Sequence, residues 1–117
     1  INLADARIPD NAGEQPSDEP LQADGPTAYF ATIPVKAMVQ NVREHGLPCH
    51  VSFTAGTYVC NCVMYNVLHL CATKYPNIRA GFMASMPLET IAKSLEYCIE
   101  AVVTNKEEVK EAMGTTH

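Results

Sequence analysis

Between Val59 and Lys74 the chain sets Val59, Val63, Met64, Val67, Leu68, Leu70, Cys71 and Ala72 so densely that a helix wound from them is apolar on nearly every side. A helix of that kind demands burial rather than a solvent-facing position. The segments around it alternate. Pro34 suits a first helical turn, Val35, Met38, Val39 and Val42 recur on one face, and Gly46 can close the turn, which predicts a helix over roughly 34–45. Pro48 stops any continuation, His50 to Phe53 reads as a short strand with Val51 and Phe53 on one face, and Pro76 ends the apolar helix. Ile78 to Met83 reads as another strand, and Pro87 opens a third helix with Leu88, Ile91, Ala92, Leu95 and Ile99 as its stripe.

Strand–helix alternation is the mark of an α/β domain, in which buried parallel strands are covered by helices on both faces. Only two or three strands are visible, however, and so small a sheet has bare edges and little area to cover three helices. At 117 residues the chain supports a single domain, and it reads as part of one.

The first quarter has another texture. From Ile1 to Thr27 it carries Pro9, Pro16, Pro20 and Pro26, with acids far outnumbering the lone Arg7. Long stretches without regular structure are uncommon inside compact domains unless they are functional or disordered. Ile1, Leu3, Ile8 and Leu21 are available as anchors, so an ordered surface excursion entered from a short strand is expected. The tail from Asn105 to His117 is charged and expected to fray.

The formal charge of −5 repels phosphate backbones, which argues against a nucleic-acid partner. No apolar run approaches the ~20 residues of a membrane helix, and Ile1 is followed by acids and prolines rather than by a basic-then-apolar leader. Five cysteines, an odd set, do not read as a disulfide framework, so a reducing cytosol is expected.

The segment Ser52 to Asn61 ends a strand, turns through small residues and places Cys60 in the first turn of a helix. Unpaired N–H groups and the positive end of the helix dipole favour an anion there, and the same groups suit an oxyanion on an attacked carbonyl. Simple packing is the competing reading for a cysteine so placed. Metal binding by Cys60, Cys62, His69 and Cys71 is disfavoured, because Cys60 and Cys71 would lie about 16 Å apart along a helix rising 1.5 Å per residue, against a zinc–sulfur bond of about 2.3 Å. No metal or other cofactor is called for. A nucleophilic thiol needs a base within hydrogen-bond reach. His45 suits a helix C-terminus, His50 starts a strand at its far end, His69 lies well along the same helix, and His117 is terminal, so spacing leaves Cys60 without an obvious base.

Several blocks in order resemble the pyroglutamyl peptidase I (pyrrolidone carboxyl peptidase) family. They are Asp5-Ala-Arg-Ile-Pro-Asp-Asn11, Asp18-Glu-Pro, Asp24-Gly-Pro, Ala28-Tyr-Phe30, and Thr54-Ala-Gly-Thr-Tyr-Val-Cys-Asn61 with Tyr65. The resemblance runs across essentially the whole chain. It implies a cytosolic cysteine exopeptidase that removes N-terminal 5-oxoproline from peptides. It also implies a three-layer α/β/α sandwich with a twisted, mostly parallel sheet, of which this chain supplies only part, and assembly as a homotetramer. On it the nucleophile falls on Cys60, the oxyanion arginine on Arg7, and lactam-pocket positions on Ile8, Tyr58 and Val59. A neutral lactam suits apolar walls, and a guanidinium suits negative charge on an attacked carbonyl. A salt bridge to the acids between residues 5 and 24 is the competing reading for Arg7.

Two departures accompany the resemblance. The family's catalytic glutamate lies just upstream of the segment matching Ile1-Asn2, and Ala84 stands where the family's catalytic histidine belongs, as though a proline-rich loop had been cut out before the last helix. A segment missing near 83–85 predicts a Cα separation above the 3.8 Å of a trans peptide. An unbroken junction favours the alternative, an inactive remnant that binds pyroglutamyl termini or serves as an assembly subunit.

Overall fold

The computed structural model describes residues 1–84, 88–106, 108 and 112–114. It contains three helices, α1 (Val35–Glu44), α2 (Val59–Thr73) and α3 (Leu88–Thr104), in two compact units. One unit joins Ile1–Ala31 to Phe53–Ala80, and the other joins Thr32–Ser52 to the described part of 81–117. The 83–85 junction and the role of Pro87 lie outside the described residues.

In the second unit α1 begins where Pro34, as its N-cap, accepts a hydrogen bond from the Met38 N–H at 3.0 Å. Two first-turn amides, of Lys36 and Ala37, donate to the Glu108 carboxylate at 2.9 and 3.2 Å, an anion at the end of the helix that favours one. Gly46, at φ 80°, closes α1 as its N–H reaches the Arg43 carbonyl at 3.0 Å. Met38, Val39 and Val42 are buried as the periodicity predicts. Their cover differs from the expectation. α3 turns Cys98 and Ala101 into this core with Ser94 also buried, whereas Ile91, Leu95 and Ile99 are exposed and Ala92 also faces out. The bulky stripe therefore marks the uncovered side of α3, and small residues mark the side that lets α1 approach. At the C-terminus of α1, His45 donates through Nδ1–H to the Asn41 carbonyl at 2.7 Å and stacks on Tyr97 with ring centroids 3.7 Å apart.

In the first unit the proline-rich stretch wraps one side of α2. Tyr65, 1% exposed, donates its hydroxyl to the Pro26 carbonyl at 2.6 Å. Its ring lies 5.1 Å from Tyr29, whose hydroxyl bonds His69 Nδ1 at 2.8 Å. Gly25 is required here, since a Cβ at that position would strike the Tyr65 hydroxyl. The excursion is ordered, but Ile1 and Ile8 do not anchor it; both are exposed, and polar contacts hold it instead.

The apolar helix α2 is buried on one side only. Asn61, Tyr65, Leu68 and Cys71 face inward, while Val59, Val63, Val67 and Leu70 are all more than 40% exposed. Nor do 50–53 and 78–83 form strands. Among the described residues the β-structure is one antiparallel bridge, Ala4 to Glu19, and Phe53 is exposed. Strand propensity becomes a ladder only with neighbouring strands beside it, and the same shortage of partners leaves the outer faces of α2 and α3 uncovered.

Candidate active site

The turn from Thr54 to Tyr58 delivers Cys60 to the second position of α2. Gly56 takes φ 77°, a conformation that favours glycine, and its N–H donates to Thr54 Oγ1 at 2.9 Å. Tyr58 is the N-cap residue, and its carbonyl accepts from the Cys62 N–H at 2.8 Å. Among the described residues no side chain caps this helix end, so its first amides point outward without an intrahelical acceptor. Cys60 is exposed there, whereas Cys71 and Cys98 are buried and Cys49 and Cys62 half-buried.

Residues 1–6 run beside this turn and are hydrogen-bonded in alternation. The N–H groups of Asn2, Ala4 and Ala6 donate to the carbonyls of Thr27, Glu19 and Pro16 at 2.8, 2.6 and 3.0 Å. The odd residues turn to the helix start. Asp5 N–H donates to the Thr57 carbonyl at 2.8 Å, and Thr57 Oγ1 donates back to the Asp5 carbonyl at 2.8 Å. Asn61, 2% exposed, donates through Nδ2 to the carbonyls of Ile1 and Leu3 at 2.8 and 3.0 Å, and its Oδ1 accepts from the Ile1 nitrogen at 2.6 Å. Arg7 and Ile8 follow directly and are exposed. Among the described residues Arg7 makes no ion pair with the surrounding acids, so the competing salt-bridge reading finds no partner there.

Tyr58 and Val59 border a cavity of about 340 Å³ whose other walls include Ala4, Pro16, Cys62 and Val63 and the acids Asp10, Glu14 and Glu19. Cys60, Arg7 and Ile8 do not line it. The Tyr58 hydroxyl donates to the Glu14 carbonyl at 3.1 Å, and its pKa is raised by desolvation first and by the Asp10 charge second. Among the described residues no three His, Cys, Asp or Glu side chains gather as metal ligands, and no helix is long and apolar enough to cross a membrane. His69 is engaged with Tyr29, and His45 and Tyr97 sit in the other unit.

The family model for pyroglutamyl peptidases matches residues 1–104. The chain belongs to the pyroglutamyl peptidase family. A family relative from Enterococcus faecalis, a pyrrolidone-carboxylate peptidase, is 54% identical over 132 aligned positions that take in all of this chain and 62% of the relative. Another from Finegoldia magna is 48% identical over the same shares. The 132 positions exceed the 117 residues here, so the relatives carry additional residues within the matched span. Among solved structures, pyroglutamyl peptidase I from Bacillus amyloliquefaciens superposes with a TM-score of 0.90 at 33% identity, covering 96% of this chain and 60% of that one. The pyrrolidone carboxyl peptidase from Thermococcus litoralis gives 0.81 at 36% identity, covering 89% and 56%. This chain spans about three-fifths of the length of these α/β-fold family members, and among its described residues it forms no sheet.

Residue chemistry alone does not single out Asn61 and Thr57. The available signal is a carboxamide in the first turn of a largely apolar helix, a group that is costly to bury unless it is hydrogen-bonded.

Proposed function

We propose that this chain is the nucleophile-bearing part of a cysteine exopeptidase that releases N-terminal pyroglutamate from peptides. The observation that carries the reading is an exposed Cys60 at the uncapped start of α2, with the segment bearing Arg7 and Ile8 bonded to the adjoining turn.

Cys60 Sγ attacks the pyroglutamyl carbonyl carbon. The oxyanion that forms is met by the outward first-turn amides and by Arg7, groups aimed at charge that develops only during reaction. The C–N bond to the next residue then breaks, the departing nitrogen takes a proton and leaves as an amine, and water hydrolyses the thioester to restore the thiol. Ile8, Tyr58 and Val59 supply apolar surface to the lactam ring. By the family resemblance the base and its orienting acid are a histidine and a glutamate outside these 117 residues. The assembled protein is a three-layer α/β/α sandwich with a mostly parallel sheet, a homotetramer working in the cytosol.

Labelling tests the reading on this chain without needing turnover. A pyroglutamyl chloromethyl ketone, followed by peptide mapping, is expected to modify Cys60 selectively. Equal slow modification of all five cysteines would refute it.

A further inference from the structure

Resting on that reading, we propose that Asn61 is a positioning residue that sets the register of residues 1–8 against the nucleophile's helix, and so the place of Arg7 and Ile8 relative to Cys60. The alternating bonds of residues 1–6 resemble half of a β-ladder. On one side the partners are the backbone carbonyls of Thr27, Glu19 and Pro16. The other side faces α2, whose interior amides and carbonyls are committed to the helix and leave nothing to pair with. Asn61 fills that gap with a side chain that carries both a donor and an acceptor, meeting Ile1 twice and Leu3 once. Thr57 completes the row at Asp5.

Registers in extended segments slip easily unless something specific fixes them. A slip of one residue would bring Ile8 to where Arg7 now stands and offer the wrong carbonyls to the carboxamide. Because Asn61 follows Cys60 directly, the same short stretch of backbone fixes the thiol and the segment that meets the substrate. Arg7 and Ile8 are exposed, so nothing in their own packing holds them in place.

The test compares two labelling rates at Cys60, with pyroglutamyl chloromethyl ketone and with iodoacetamide. Their ratio reports lactam recognition separately from thiol reactivity. Asn61→Ala, and Asn61→Asp, which keeps the acceptor but removes both donors, are expected to lower the ratio by on the order of tenfold or more, with the iodoacetamide rate little changed. Thr57→Val is expected to act in the same direction and serves if the Asn61 variants fail to fold. Tyr65→Phe removes the bond to Pro26 in the same unit but leaves the register contacts alone, and is expected to keep the ratio. An unchanged ratio in the Asn61 and Thr57 variants, or an equal fall in Tyr65→Phe, would overturn the positioning role while leaving the peptidase reading intact. A ratio in the unaltered chain no higher than that of a free thiol such as glutathione would overturn both.

Discussion

Thr57 and Asp5 exchange two hydrogen bonds, the Asp5 amide to the Thr57 carbonyl and the Thr57 hydroxyl to the Asp5 carbonyl, each 2.8 Å long. One bond is backbone to backbone and survives substitution; the other depends on the hydroxyl. Thr57→Val keeps the shape and removes only the second, so it is expected to cost about 1 kcal/mol, the usual net value of one such bond. Thr57→Ser should recover most of it. Urea unfolding followed by circular dichroism would show both.

Arg7 has no ion-pair partner among the described residues and is exposed, so its substitution should scarcely affect folding. Arg7→Gln is expected to shift stability by no more than about 0.5 kcal/mol, as surface changes away from caps and networks generally do. Labelling of Cys60 by the lactam reagent should nevertheless slow markedly. A large loss of stability would instead place Arg7 in a structural role.

The helices were legible because each is bounded by local chemistry. Pro34 and Gly46 bracket α1, and the small-residue turn before Val59 starts α2. What the sequence could not convey was which side of each helix finds a neighbour. Leu95 and Ile99 outrank Ser94 and Cys98 in hydrophobicity, yet the smaller pair is buried, because the distance to α1 and not the apolarity decides the contact. The strands failed for a related reason, since 50–53 and 78–83 carry strand residues but a ladder depends on chain elsewhere. At the site, the motif pointed to Cys60 and its neighbours, while the bonds of Asn61 depend on a segment some sixty residues away in sequence.

Ser94 illustrates the cost of that close approach. Its hydroxyl is buried and has no hydrogen-bond partner among the described residues. Removing an unsatisfied buried group relieves its desolvation cost, and alanine is also the better helix former. Ser94→Ala is therefore expected to stabilise the second unit by about 1 kcal/mol, seen as a higher urea midpoint with an unchanged slope.

Cys49 and Cys98 meet in that same unit, and burial raises both thiol pKa values. At Cys49 the Arg43 charge and the His50 amide partly offset the rise, and at Cys98 the neighbouring Cys49 adds to it. A raised folded-state value means that the unfolded chain loses its thiol protons first as pH climbs. Their contribution to stability is thus whole below the ordinary thiol value near 9.0 and is lost as pH rises from there through the higher folded-state value. Urea midpoints measured between neutral pH and pH 10 should fall at the alkaline end, and Cys98→Ala should flatten that fall. A fall unchanged by the substitution would assign it to other groups.

Val59, Val63, Val67 and Leu70 make a continuous apolar stripe on α2 that the described residues leave exposed. Contiguous apolar surface of this kind marks a contact site or an aggregation hazard, and the chain covers only 62% of its Enterococcus relative. Polar substitution on the stripe should consequently cost this chain little. Val67→Lys is expected to change the urea midpoint by less than the equivalent of about 0.5 kcal/mol. It should also reduce the binding of an apolar dye such as anilinonaphthalene sulfonate and the tendency of the chain to self-associate in sedimentation. If Val67→Lys unfolded the chain, the stripe would have to be counted as part of its core.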